Sequence, residues 1–203
     1  MSASATPSDT PNRILDIAET LVQTRGFNGF SYADIAAALG VTKASLHYHF
    51  PNKSKLGERL IERYRTAFQN ALSRIEDGSA AAPIRLDLYV GIYADVLARD
   101  RMCLCGMLAA DYATLPEPMQ AEVRHFFEIN EKWLSGVLRR GREREELSFT
   151  GSPLEVARDL TAALEGAMLL ARSQGDPSRL KAASRRLLAN FGVRSPVREA
   201  AAD

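Results

Sequence analysis

The sequence predicts an all-α protein of about nine helices: a small N-terminal domain of three helices carrying a helix-turn-helix, then a larger C-terminal helical domain. Three observations carry this. Apolar residues recur three and four apart almost throughout, no segment alternates apolar and polar as a half-buried strand would, and Gly or Pro interrupts the pattern at helix-length intervals.

In the first helix, Ile14, Leu15, Ala18, Leu21 and Val22 share one face, and Gly26 closes it as a C-cap. Phe27 and Phe30 flank an Asn28-Gly29 turn. Ser31, with Asp34 three residues on, starts a short helix in the manner of a capping box; Ile35, Ala36 and Leu39 line it and Gly40 stops it. A second short helix starts at Thr42 or Lys43 and runs to Phe50, where Pro51-Asn52 break it. A long amphipathic helix follows from Lys53 to Ile75, with Leu56, Leu60, Tyr64, Phe68 and Leu72 four apart.

Further helices are expected from Pro83 through Leu97, from Met102 to Tyr112, and from Met119 to Glu145, the last after the break Leu115-Pro116-Glu117-Pro118. Two more, Pro153 to Arg172 and Pro177 to Phe191, each begin at a proline, which the first helical turn tolerates. The expected organisation is an arm at 1–11, the helix-turn-helix domain at 12–52, the larger helical domain at 53–193 and a tail at 194–203.

With 46% hydrophobic and 25% charged residues, the 203-residue chain has ordinary globular composition. A net charge of +1 excludes coating of nucleic acid by a basic body but permits a local basic patch. Two cysteines, Cys103 and Cys105, make no disulfide framework and fit a reducing cytoplasm. The Ser/Thr/Ala/Pro-rich start lacks the apolar core of a signal peptide, and no apolar run reaches the ~18 residues of a membrane span. A soluble, cytoplasmic protein is therefore expected.

Between Ser31 and Phe50 the connection Leu39-Gly40-Val41-Thr42 has what a helix-turn-helix needs: a glycine at the turn, a small apolar residue beneath it, and a threonine to cap the second helix. On that second helix Thr42, Lys43, Ser45, His47, Tyr48 and His49 supply donors and acceptors suited to phosphates and base edges, while Leu46 and Phe50 face inward. His47 and His49 lie two apart, ~200° around a helix, with no cysteine or carboxylate to complete a set. No metal site and no cofactor is expected.

The run from Gly26 to Ala36, then Gly40 to Phe50, then Lys53 and Leu56, resembles the N-terminal domain of the TetR family of transcription regulators, over about residues 12 to 60. The resemblance implies that Thr42–Phe50 is the recognition helix in the major groove. It implies too that Ser31 and Tyr32 lie near phosphate, and that Lys53 meets the DNA backbone. The family often carries Tyr where this chain has His47.

Beyond residue 60 the resemblance rests on helix number and order. It implies a ligand cavity among the later helices, for which Tyr89, Tyr93, Met107, Tyr112, Phe127, Trp133 and Met168 are candidate lining residues, most aromatic and apolar residues there being core. Cys103, with Cys105 beside it, resembles the cysteine of regulators of electrophile and aldehyde detoxification, and a helix start flanked by Arg99 and Arg101 favours thiolate. Against this, free cysteines are commonly buried small hydrophobes. The last two helices, with Leu154, Val156, Ala157, Leu160, Ala163, Leu164, Ala167 and Met168 on one and Leu180, Ala183, Leu187 and Leu188 on the other, suit a four-helix dimer interface.

The expected protein is thus a homodimeric repressor, not an enzyme, released from a double-stranded DNA operator by a small molecule or electrophile. The rivals are an enzyme using His125 or Cys103 in the cavity, for which no nucleophile–base spacing is present, and a helical interaction module. Salt-dependent, sequence-selective DNA binding separates the first from both.

Overall fold

The computed structural model describes residues 10–78 and 81–192; the expected tail at 194–203 lies outside them, as does all but the end of the expected arm. Nine α-helices are present among the described residues: α1 (Thr10–Arg25), α2 (Tyr32–Leu39), α3 (Lys43–His49), α4 (Lys53–Gly78), α5 (Ala82–Leu97), α6 (Leu104–Ala110), α7 (Glu117–Glu143), α8 (Pro153–Ser173) and α9 (Ser178–Ala189), with a 3₁₀ turn at Tyr112–Thr114. None of these residues is in a strand. Helix α1 starts at Thr10, so the last two residues of the expected arm are helical.

The chain forms two compact units. One comprises the residues through Phe68 together with Asp100–Phe127; the other comprises Gln69–Arg99 and the residues from Glu128 on. The spatial division therefore falls within α4 and α7, the two longest helices, and not at 52/53. The 52/53 boundary describes a change of role along the chain and stays a proposal.

In the first unit α1 contributes Ile14, Leu15, Ala18 and Val22 to a core shared with Ile35, Leu46, Leu56, Leu60 and Ile61, all buried. Each of the Ile, Leu and Val side chains among them contributes about 1.5–3 kcal/mol on burial. Arg63 of α4 reaches Asp16 and Glu19 of α1, each at 2.7 Å. Helix α6 returns to this unit, burying Leu104, Cys105 and Leu108. The Met102 N–H just ahead of it donates to Gln23 O at the end of α1, at 3.1 Å.

In the second unit α5, the latter part of α7, α8 and α9 bury Leu86, Tyr89, Tyr93, Leu134, Val137, Leu160, Leu164, Met168 and Leu180. Ser152 and Glu155 form a reciprocal capping box at the start of α8, and Pro153 occupies its first turn. Of the apolar surface expected on α8, Ala157, Leu160, Leu164 and Met168 are buried in this unit, whereas Leu169 and Leu170, outside that expected surface, are 56% and 59% exposed. Helix α8 packs against α5 and α9.

Candidate DNA interface and sensor residues

The helix-turn-helix is assembled by local hydrogen bonds. Ser31 caps α2: its Oγ accepts from Ala33 N–H at 3.2 Å, while the Asp34 carboxylate accepts from Ser31 N–H at 2.7 Å. Hydrogen bonds from Ser31 hold the Asp34 carboxyl below the usual carboxylate range. Gly40 ends α2 with φ +69°, a left-handed conformation that side chains disfavour. Thr42 Oγ1 then accepts from Ser45 N–H at 3.3 Å, fixing the start of α3.

Helix α3 is anchored by Leu46, which is fully buried, and by Phe50 at its end. Its other face is open. Thr42, Lys43, His47 and Tyr48 are exposed and Ser45 and His49 half-buried; Tyr48, 84% exposed, touches the edge of the His49 ring. His47 Nδ1 lies 3.1 Å from Pro51 O. A carbonyl only accepts, so Nδ1 carries a proton and Nε2 is left for an outside partner. The ring rests on Tyr32, 4.8 Å between centroids.

Two residues expected at the DNA backbone also have partners within the unit. Tyr32 is buried and its hydroxyl donates to Phe50 O at 2.8 Å, so it braces the end of α3 from behind. Burial pushes its phenol up to about 12. The Lys53 ammonium donates to Phe27 O and Phe30 O, each at 2.5 Å, and lies over both phenyl rings. Burial holds it below lysine's ordinary range, against the opposing fields of Asp111 and Asp34. Both partners are too far along the chain for a local reading to find, 18 and 26 residues away for Tyr32–Phe50 and Lys53–Phe27.

The candidate sensor residues divide between the two units: Cys103, Cys105, Met107, Tyr112 and Phe127 belong to the first, and Tyr89, Tyr93, Trp133 and Met168 to the second. Neither cysteine is in a disulfide, and both are buried. Cys103 is the N-cap of α6, and its Sγ accepts from Gly106 N–H at 3.4 Å and from the Tyr64 hydroxyl at 3.8 Å. Tyr112 accepts from Arg124, and Phe127 meets Phe126 edge-on. In the second unit Trp133 stacks on Tyr89, and the Tyr89 and Tyr93 hydroxyls lie 3.1 Å apart. Asn130 donates to Tyr93 Oη, and Met168 is fully buried. His125, the rival catalyst, is exposed on α7.

One residue escaped the sequence reading. Asp111, the C-cap of α6, accepts from Phe27 N–H at 2.7 Å and Asn28 N–H at 3.4 Å, both on Oδ2. Asn28 Nδ2 donates to Thr114 Oγ1 at 2.7 Å. The only local signal is that backbone N–H groups just past a helix-ending glycine need an acceptor from somewhere.

A capped two-helix reading head with one polar face outward, carried on a longer all-helical body, defines a helix-turn-helix DNA-binding regulator. The comparisons agree. Residues 14–60 match the bacterial regulatory proteins of the tetR family, and residues 83–187 match the tetracyclin repressor-like C-terminal domain. The chain belongs to the TetR family of transcription regulators, a family of DNA-binding proteins and not of enzymes. A TetR-family regulator from Agrobacterium tumefaciens superposes with a TM-score of 0.89 at 34% identity, over 92% of this chain and 99% of that one. The reduced form of Escherichia coli NemR superposes with a TM-score of 0.79 at 27% identity, over 93% and 100%. In sequence, the transcriptional repressor NemR of Escherichia coli K12 is 28% identical over 171 residues, 82% of this chain and 86% of that protein. No helix among the described residues is long and apolar enough to cross a membrane.

Proposed function

We propose that this regulator is a cytoplasmic homodimeric repressor. It holds a pseudo-palindromic operator through residues 12–52, and an effector acting on the helical body at 53–193 releases it. Thr42, Lys43, Ser45, His47, Tyr48 and His49 are the proposed contacts, with Ser31 at a flanking phosphate. Tyr32 and Lys53 act from behind, holding the frame. The observation that carries this reading is Tyr48, 84% exposed beside His47 and Lys43 on a helix whose opposite side is pinned by Leu46.

The test begins by sequencing genomic fragments captured by the purified protein. Tyr48→Ala is then expected to weaken binding to such a fragment by about 1–3 kcal/mol and to leave thermal stability unchanged, because the side chain packs against little. Full affinity in this variant would mean that α3 does not enter the groove.

For the effector we propose an electrophile that reacts at Cys103. The thiolate sulfur adds to an activated double bond, as in N-ethylmaleimide, whose C=C π bond breaks as the adjacent carbon takes up a proton. The thiol is buried, so the adduct has no room in the closed packing and displaces the start of α6. Mass spectrometry is expected to find the adduct at Cys103 as DNA is released, while Cys103→Ser binds DNA and ignores the reagent. Release that persists in Cys103→Ser would locate sensing elsewhere, with a reversible ligand near Tyr89, Tyr93 and Trp133 as the alternative.

A further inference from the structure

The chain leaves the first unit after Phe68 and returns to it at Asp100, and α6 is the first helix after the return. At its two ends α6 is tied to the segment that leads into the helix-turn-helix. Ahead of it, Met102 N–H holds Gln23 O. Behind it, the Asp111 carboxylate holds the N–H groups of Phe27 and Asn28, and Thr114 holds the Asn28 side chain. The same loop is gripped on its carbonyl side by Lys53, through Phe27 O and Phe30 O. Gly26 makes the close approach feasible: its φ is +80°, and a Cβ there would meet Asp111 Oδ2 at 2.9 Å.

Asp111 is also rigidly part of α6, its own N–H donating to Met107 O. A seven-residue helix separates it from Cys103, about 12 Å at 1.5 Å per residue. A short helix moves as a body, so a shift at the Cys103 end carries the carboxylate with it. The loop that receives the carboxylate ends at Ser31, the N-cap of α2.

We propose that Asp111 is the positioning residue through which the helix-turn-helix reads the placement of α6. Held by Asp111, the Gly26–Phe30 loop sets α2 and α3 for the operator; displaced with α6, it pulls them out of register. The proposal rests on the reading of this chain as an effector-released DNA binder, but needs no particular effector, because α6 can be displaced by substitution.

The experiment is a double-mutant cycle on the full-length protein and a captured operator fragment. Cys103→Phe crowds the start of α6, and Met107→Trp, on the same helix, serves if the first variant melts early. Either is expected to weaken operator binding about tenfold in the presence of Asp111 and less than twofold in an Asp111→Ala background. Asp111→Ala alone is expected to cost about threefold in affinity and to speed hydrogen exchange at the Phe27 and Asn28 amides at least tenfold. A residue that merely stabilised the fold would give additive effects. Equal losses in both backgrounds overturn the proposal, as do unchanged operator binding by both α6 variants and unchanged exchange in Asp111→Ala. If N-ethylmaleimide leaves the DNA bound while the cycle is non-additive, the electrophile reading fails and Asp111 stands. If the protein captures no DNA, the exchange measurement still decides whether Cys103→Phe is felt at Phe27 and Asn28.

Discussion

Leu170→Arg combined with Leu187→Arg is expected to convert the protein to a monomer and to weaken operator binding by about 10²–10⁴-fold. Leu170 is 59% exposed on α8 and Leu187 lies beside it on α9, on a face completed by Ala163, Gly166, Ala167 and Ala183. Small residues let a second pair of helices approach closely, and this face is the proposed two-fold interface. The affinity loss follows from geometry. Two recognition helices held about 34–36 Å apart engage successive major-groove segments together, whereas a monomer gains only one set of contacts. Leu170 is exposed and Leu187 half-buried, and neither belongs to the fully buried core, so the subunit should still fold. The choice of sites depends on the structure: Leu164, equally apolar in sequence, is fully buried, and a charge there would unfold the subunit and say nothing about assembly. Light scattering reads the outcome directly. An unchanged mass with intact operator binding would place the interface on another surface.

Lys53→Met should cost about 2–4 kcal/mol of stability while leaving the salt dependence of DNA binding unchanged. The methionine keeps the stem that packs on Phe27 and Phe30 and removes the ammonium that holds their carbonyls. Each charge-assisted bond is worth about 1.5–3 kcal/mol net, and relief from burying the charge offsets part of the sum. A lysine at the DNA backbone behaves oppositely: its loss spares stability and flattens the slope of log K against log salt by about 0.9. Chemical denaturation beside a salt titration separates the two, and a flattened slope with undiminished stability would return Lys53 to the phosphates.

The contrast between these residues shows what a sequence discloses. Ser31 with Asp34, Gly40 and Thr42 were legible because each acts on backbone within three or four residues, and the residue types that cap and turn a helix are few. The inward aim of Leu46 followed from helical period alone. Tyr32 and Lys53 were expected near the DNA backbone because of the family resemblance, and their partners inside the unit, Phe50 O and the carbonyls of Phe27 and Phe30, are set by tertiary packing. Asp111 was invisible, an ordinary acid after a short helix whose acceptor role appears only when Phe27, 84 residues earlier, is brought beside it. On α8 the apolar pattern ran too far around the helix for period to say which face meets α5 and α9 and which is left open.

The discontinuity of the first unit has a consequence for synthesis. The polypeptide that reads DNA is complete in sequence by Phe50, yet the carboxylate on which its entry loop rests is made 84 residues after Phe27. Contacts so distant along a chain form late. A nascent or prematurely ended chain that stops short of Asp111 leaves the N–H groups of Phe27 and Asn28 without their acceptor, and its reading head without a settled frame. With Asp111 in its proposed role, the ribosome must deliver α6, the helix that bears Cys103, before the operator can be held well. On the proposed function, a fragment able to hold DNA but deaf to the effector is thereby disfavoured by the order in which the chain is built.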